Sequence, residues 1–280
     1  MAEITSVTRY KVRVRMKNLF DVAGKVVVIT GGSRGIGAMM AQGLLENGAR
    51  VYITARKEAE LQAAEQALGE LGSCTAIRSD LSSHEGVVAF ADELKKREDK
   101  IDVLINNAGA SWGAPFEEFT EAAWDKVMDL NVKALFFLTQ QMAPLLKNAA
   151  SYDDPARVIN IASINGLTHP GMQTYSYSSS KAAVIHLTKH LAVDLASDNI
   201  NVNAIAPGFF PSNMTAFLAN NEEVKNELTA GLPRGRMGDA KDAAGAAIYL
   251  SSRATAWMTG NTLVLDGGQV AAAGASDVPH

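Results

Sequence analysis

The sequence predicts an α/β fold: a single doubly wound domain with a seven-stranded, mostly parallel sheet and helices on both faces. Three observations lead there. Seven short, β-branched apolar runs alternate with longer helix-period stretches along the 280 residues, as repeated βαβ units do. Several of those runs are apolar at successive positions, as strands covered on both sides are. The first run ends in a glycine-rich turn that opens directly into a helical stretch, the Rossmann arrangement.

The strand runs cover residues 26–30, 50–55, 74–78, 103–106, 158–162, 201–206 and 262–265. Helical stretches lie between them at 36–47, 59–71, 84–98, 121–147, 174–196 and 241–251. Composition fits one globular body: 47% of residues are hydrophobic, 20% are charged and the net charge is −4. That balance gives no electrostatic footprint for nucleic acid. No apolar run reaches the roughly 18 residues that a membrane span needs. A lone cysteine, Cys74, cannot form an internal disulfide, which fits a reducing, cytoplasmic setting. The body spans 21–268. Residues 1–20 form an N-terminal extension in which Arg9, Lys11, Arg13, Arg15 and Lys17 alternate with apolar residues. It reads as a tail, as an N-terminus extended upstream of a start at Met16, or as a basic arm or targeting peptide, and it lacks the apolar stretch of a secretory signal. Residues 269–280 are small and mostly uncharged and read as a frayed or partner-docked tail.

Ligands of open parallel sheets bind outside the carboxyl ends of the strands, so those ends carry the functional argument. The first runs into Gly31-Gly32-Ser33-Arg34-Gly35-Ile36-Gly37. Glycines there let the backbone turn tightly and approach a pyrophosphate seated on a helix N-terminus. The second strand ends at Arg56-Lys57 with no carboxylate. A carboxylate there would select the ribose 2′-hydroxyl of NAD. Arg34, Arg56 and Lys57 instead suit a 2′-phosphate, which points to NADP(H). The alternative is a solvated helix start with Glu58 blunting the charge. The third strand leads to Asp80-Leu81, where Asp80 is either a helix N-cap or an acceptor for an adenine amino group. The fourth ends at Asn106-Asn107-Ala108-Gly109, residues that tolerate left-handed backbone or close approach.

Candidate chemistry follows the fifth strand. Tyr177 and Lys181 are four apart in a helical stretch and share one face. A cation beside a phenol favours the phenolate. Lowering a pKa of about 10 by roughly 3 units takes about 4 kcal/mol. Lys181 together with an oxidised nicotinamide can supply it and leave a usable acid–base group. Ser163, at the fifth strand's carboxyl end, can donate to a substrate carbonyl or simply cap a turn. Asn131 sits inside a helical stretch, where Asn is a mediocre helix former. It either holds a water leading from Lys181 or faces solvent.

In this order Thr30-Gly31-xxx-Gly35-Ile36-Gly37, Asn106-Asn107-Ala108-Gly109, Asn131, Ser163, Tyr177-xxx-Lys181 and Pro207-Gly208 resemble the short-chain dehydrogenase/reductase family, over about residues 21–268. Within it the chain is similar to NADPH-dependent 3-oxoacyl (β-ketoacyl) reductases of the rhamnolipid-synthesis type. The resemblance implies an NADP-dependent oxidoreductase with Tyr177 as general acid/base. Lys181 lowers its pKa and holds the nicotinamide ribose, Ser163 polarises the carbonyl and Asn131 supports a proton relay. It implies a cofactor site of Thr30, Gly31, Ser33, Arg34, Gly35, Ile36, Gly37, Arg56, Lys57, Asp80, Leu81, Asn107, Ala108, Gly109, Tyr177, Lys181, Pro207 and Gly208, with no metal. Ser212 stands where the family usually has a threonine after Pro-Gly, and by that resemblance its hydroxyl belongs to the cofactor site, at the carboxamide. Trp112, His169, Phe209, Phe210 and Met214 can face an apolar carbonyl substrate, and residues after Pro207-Gly208 form a lid in this family. The implied partners are a small carbonyl or alcohol substrate, acyl carrier protein or a CoA thioester, and further copies of the chain in a homotetramer. A carrier protein would need a basic patch, to which Arg234 and Arg236 can contribute. Two other readings stand: a reductase or dehydrogenase of sugars, polyols or other small alcohols, and a non-catalytic NADP(H)-binding module.

Overall fold

The computed structural model describes residues 18–169, 171–211, 226 and 229–272. Its seven strands are β1 Val26–Thr30, β2 Arg50–Ala55, β3 Cys74–Arg78, β4 Val103–Asn106, β5 Ala156–Ile161, β6 Ile200–Pro207 and β7 Thr262–Leu265. They lie in the order β3-β2-β1-β4-β5-β6-β7, and every pair is parallel. The chain winds outward from β1 to β3, then returns to place β4 on the other side of β1. That reversal leaves a crevice at the carboxyl ends of β1 and β4.

The alternation of side chains along each strand builds two cores. Val27, Ile29, Val51, Ile53 and Ile105 point to one face, where they pack on Met40, Leu44 and Leu45 of α1 (Gly35–Glu46) and on Ala247 and Leu250 of α7 (Ala240–Ser251). Val26, Val28, Tyr52, Leu104 and Val158 point to the other. There they meet Phe90 and Leu94 of α3 (His84–Lys95), Leu138 and Met142 of α5 (Ala134–Ala149) and Leu191 of α6 (Tyr175–Leu195). Between β2 and β3 runs α2 (Glu58–Gly69). Coverage on both faces explains why the strand sequences are apolar rather than alternating.

The helical pattern over 121–147 is one stretch in the sequence and three segments in the structure. Helix α4 (Glu121–Met128) gives way to a wide π-type turn, Asp129–Lys133, before α5 begins. The cause is Asn131, whose side chain bonds the backbone of Ala110 instead of facing solvent. An extra residue per turn accommodates that pull, as such bulges do near functional sites.

One polar chain crosses the apolar sheet. Asn106 Nδ2 donates to Thr139 Oγ1 at 3.0 Å and to Asn160 Oδ1 at 2.9 Å, and Asn160 Nδ2 donates to Thr188 Oγ1 at 3.0 Å. All four residues are buried, and the chain ties α5 to β4, β5 and α6.

Short segments flank residues 21–268 on both sides. Residues 18–20 pack against the body: Leu19 accepts the backbone N–H of Ala254, and the Phe20 ring lies 6.2 Å from that of Tyr249. Residues 269–272 continue it as a helical turn, with Gly268 and Val270 donating to the Asp266 carboxylate. The rest of the extension and tail, 1–17 and 273–280, lies outside the described residues. No described helix is long and apolar enough to cross a membrane.

Candidate active site

The β1 and β4 ends are tied together by side-chain hydrogen bonds. Thr30 Oγ1 accepts the backbone N–H of both Asn107 and Ala108 at 2.9 Å. Asn107 Nδ2 donates back to the carbonyls of Thr30 and Gly31 at 2.8 and 3.0 Å. This contact dictates two glycines. Gly31 has φ +65°, and a Cβ at Gly37 would come within 2.5 Å of Asn107 Nδ2, so neither position admits a side chain without displacing the turn.

A cleft of about 410 Å³ opens above these turns, within the range of small-molecule sites. One end is lined by Gly31, Ser33, Arg34, Gly35 and Ile36. Arg34 stands at the α1 N-cap without a side-chain cap, and no acidic residue occupies that helix's first turn. Its free N–H groups and positive dipole end suit an anion. Arg34, Arg56 and Lys57 lie on the wall at the end of β2, where a ribose phosphate belongs. This donor set fits a phosphorylated dinucleotide. Glu60 is there too, bonded to Lys57 and Arg34, which hold its carboxyl below the usual range. Glu58, the expected blunting carboxylate, instead reaches Arg78 at 3.7 Å.

The other end of the cleft is lined by Ser163, Tyr177, Lys181 and residues 207–210. Ser163 Oγ accepts the Asn165 N–H at 3.2 Å and lies near enough to the Tyr177 hydroxyl to favour its ionised form. Lys181 lies one helical turn on, with its Nζ 5.6 Å from the centre of the Tyr177 ring. That ammonium donates to the Ile161 carbonyl at 2.7 Å and is buried. Burial brings its pKa down to about 8. The phenol also feels burial, which raises its pKa, and the neighbouring Ser163 hydroxyl opposes the rise. From the sequence, Lys181 is expected to lower the phenol. In the chain alone desolvation outweighs any such effect, so Tyr177 keeps its proton at neutral pH.

Asn131 is buried behind this pair and off the cleft wall. Its Oδ1 accepts from Ala110 N at 2.8 Å, and its Nδ2 donates to Ala110 O and Ser180 Oγ at 2.9 Å each. Ser180 Oγ donates in turn to the Tyr177 carbonyl at 2.6 Å. Asn131 therefore fixes the β4 loop to the helix turn that carries Tyr177.

The structure brings most of the sequence-selected residues to one wall, including Ala108, Gly109, Leu81, Pro207, Gly208, Phe209 and Phe210. Thr30 and Gly37 stand just behind it, shaping the turn. Three residues depart. Asp80 accepts Ser82 N and Oγ at 3.0 and 2.7 Å and lies off the wall, while Ser83 caps α3. Trp112 is 41% exposed and also off the wall, with Lys126 Nζ 4.9 Å above its ring. His169 is exposed and likewise outside the lining. Ser212 and Met214 lie outside the described residues. The wall adds Thr54, Glu60, Ser111, Asn165, Met172 and Thr174. Glu60 had a signal, its i,i+3 spacing from Lys57. Met172 and Thr174 lie in the loop that delivers Tyr177.

The family model described as short chain dehydrogenase matches residues 25–223. The chain is a short-chain dehydrogenase. This oxidoreductase is 47% identical over 253 residues to a rhamnolipids biosynthesis 3-oxoacyl-[acyl-carrier-protein] reductase of Pseudomonas aeruginosa, across 90% of this chain and 99% of that one. A Pseudomonas aeruginosa RhlG/NADP active-site complex superposes with a TM-score of 0.88 at 46% identity, covering 91% of this chain and 100% of that one. A gluconate 5-dehydrogenase from Burkholderia cenocepacia, in complex with NADP and tartrate, gives a TM-score of 0.82 at 32% identity, covering 90% and 98%.

Proposed function

We propose that this dehydrogenase reduces the ketone of a 3-oxoacyl thioester with NADPH, with Tyr177 as general acid. One observation carries the chemistry. A protonated Tyr177 lines one end of a cleft beside Ser163 and Lys181, and the other end of that cleft carries three cations and an uncapped helix N-terminus. The similarity to a 3-oxoacyl reductase and to an NADP complex supports the substrate class and the cofactor.

Bound NADPH supplies a hydride to the carbonyl carbon. Tyr177 gives its phenolic proton to the carbonyl oxygen, completing the alcohol. Ser163 Oγ–H donates to the same oxygen as negative charge builds there. Lys181, held on the Ile161 carbonyl, places a positive charge under the ring and stabilises the phenolate left after transfer. Asn131 keeps the Tyr177 turn aligned with the β4 loop. A raised phenol pKa suits this direction, because reduction needs the proton present. The reverse reaction needs the phenolate.

The test is NADPH consumption, followed at the nicotinamide absorbance, with acetoacetyl-CoA against a panel of keto-sugars. Turnover of acetoacetyl-CoA is expected. Turnover of a keto-sugar alone moves the assignment to the second reading, a sugar or polyol dehydrogenase, which the gluconate 5-dehydrogenase match favours. An acyl-carrier-protein partner has weaker support from the basic residues in the loop before α7, since the Arg236 guanidinium is paired with both Asp242 oxygens. A homotetramer agrees with the exposed Val193, Trp257 and Val264, and light scattering on the purified protein measures it. The cytoplasm is the compartment this reading assigns.

A further inference from the structure

The cation cluster at the β2 end is not free. Glu60 lines the cleft among Arg34, Arg56 and Lys57. Its two oxygens are divided between two of them: Oε2 takes Arg34 Nη1 at 2.9 Å, and Oε1 takes Lys57 Nζ at 2.6 Å. Among the described residues, Arg56 has no carboxylate within ion-pair distance. Two of the three charges that favour a 2′-phosphate are therefore already satisfied by the chain's own anion.

We propose that Glu60 is a built-in competitor of the cofactor's 2′-phosphate, and so a specificity-determining residue that narrows the preference for NADP(H) over NAD(H). The inference rests on the reading that this cleft holds a dinucleotide. A phosphate of charge near −2 seeks the same Arg34 fork and Lys57 ammonium. To bind, it must draw both from Glu60, and the released carboxylate then faces the phosphate as a like charge. A ribose 2′-hydroxyl makes no such demand. It can donate to Glu60 while the carboxylate keeps both cations. The pairs are half exposed, with side chains 41% to 69% accessible, so each is weak and readily exchanged. Glu60 thus tunes selectivity without closing the site to either cofactor.

The experiment is titration calorimetry of wild type and Glu60→Gln with adenosine 2′,5′-bisphosphate and with adenosine 5′-monophosphate. The glutamine keeps the size of the side chain and removes its charge. Expected is a tightening of the bisphosphate by roughly three- to thirtyfold, the span of two weak ion pairs, with the monophosphate unchanged or weakened. The ratio of the two dissociation constants is the readout. A wild-type ratio well above one that the variant leaves unchanged overturns the role of Glu60 and leaves the NADP(H) reading intact. Ratios near one in both proteins overturn both. A ratio near one that rises in the variant supports a phosphate site masked by Glu60.

Discussion

Replacing Lys181 by methionine should make the cofactor-free protein more stable at neutral pH while removing its activity. Burial takes the ammonium's pKa from 10.5 to about 8. At 1.36 kcal/mol per unit, holding that charge inside costs about 3 kcal/mol of folding stability. Below pH 8 both folded and unfolded chains carry the proton, so the full cost is present. Between pH 8 and 10.5 only the unfolded chain still binds it, and stability rises with pH. Methionine has similar length and no charge. It forfeits the 2.7 Å bond to the Ile161 carbonyl, a loss of about 1 kcal/mol. The net gain is about 2 kcal/mol at pH 7, or on the order of 4–8 °C in Tm for a chain of this size, shrinking to nothing near pH 10. Urea unfolding at pH 7 and pH 10, with the turnover assay beside it, makes the measurement. A variant less stable than wild type at pH 7, or a gain that does not change with pH, would show that the buried charge is not the cost assigned to it.

Four further outcomes follow from the same geometry. Tyr177→Phe should lower kcat by about 10²- to 10⁴-fold, the usual range for a lost general acid, with NADPH affinity in fluorescence titration little changed; an equal loss of affinity contradicts the assignment. Ser163→Ala should lower kcat by about 10²-fold or more, the scale of one lost oxyanion donor, since the Tyr177 proton remains in place. Arg56→Asp should move the NADPH/NADH ratio of kcat/KM toward NADH, and an unmoved ratio removes Arg56 from selection. Because burial raises the phenol's pKa, alcohol oxidation should gain as pH climbs while carbonyl reduction stays flat through neutrality; initial rates in both directions across pH 6–10 decide this.

Much of this architecture is legible in the sequence because strand and helix periods leave strong local marks. β1, β2, β3, β4 and β7 carry the predicted boundaries, and β5 and β6 start one or two residues earlier. Their first residues pair with neighbouring strands without changing the apolar pattern. The break at Asn131 is not legible, because it depends on a contact with Ala110, 21 residues away in the chain. Side-chain direction is the weakest inference. Trp112 follows a strand end, where ligands bind, yet its ring turns toward Lys126. Asp80 has the right residue type at the right strand end, but a serine two positions on takes its carboxylate. Glu60 escapes a sequence reading that weighs the charges attracting a phosphate and not the one opposing it.

The Thr139–Asn106–Asn160–Thr188 chain has a consequence for how this sheet assembles. Side chains along a strand repeat with period two, so a two-residue shift of apolar strands such as β4 and β5 keeps every side chain on its own face. A slip of two residues would preserve the facing pattern yet break the Asn106–Asn160 bond and leave Asn160 Oδ1 in a dry interior without its donor, at about 1–3 kcal/mol. Only the alignment that sets Asn106 opposite Asn160 avoids that penalty. These amides act as an alignment key, so replacing both with leucine should yield a chain that still collapses but samples more than one strand pairing.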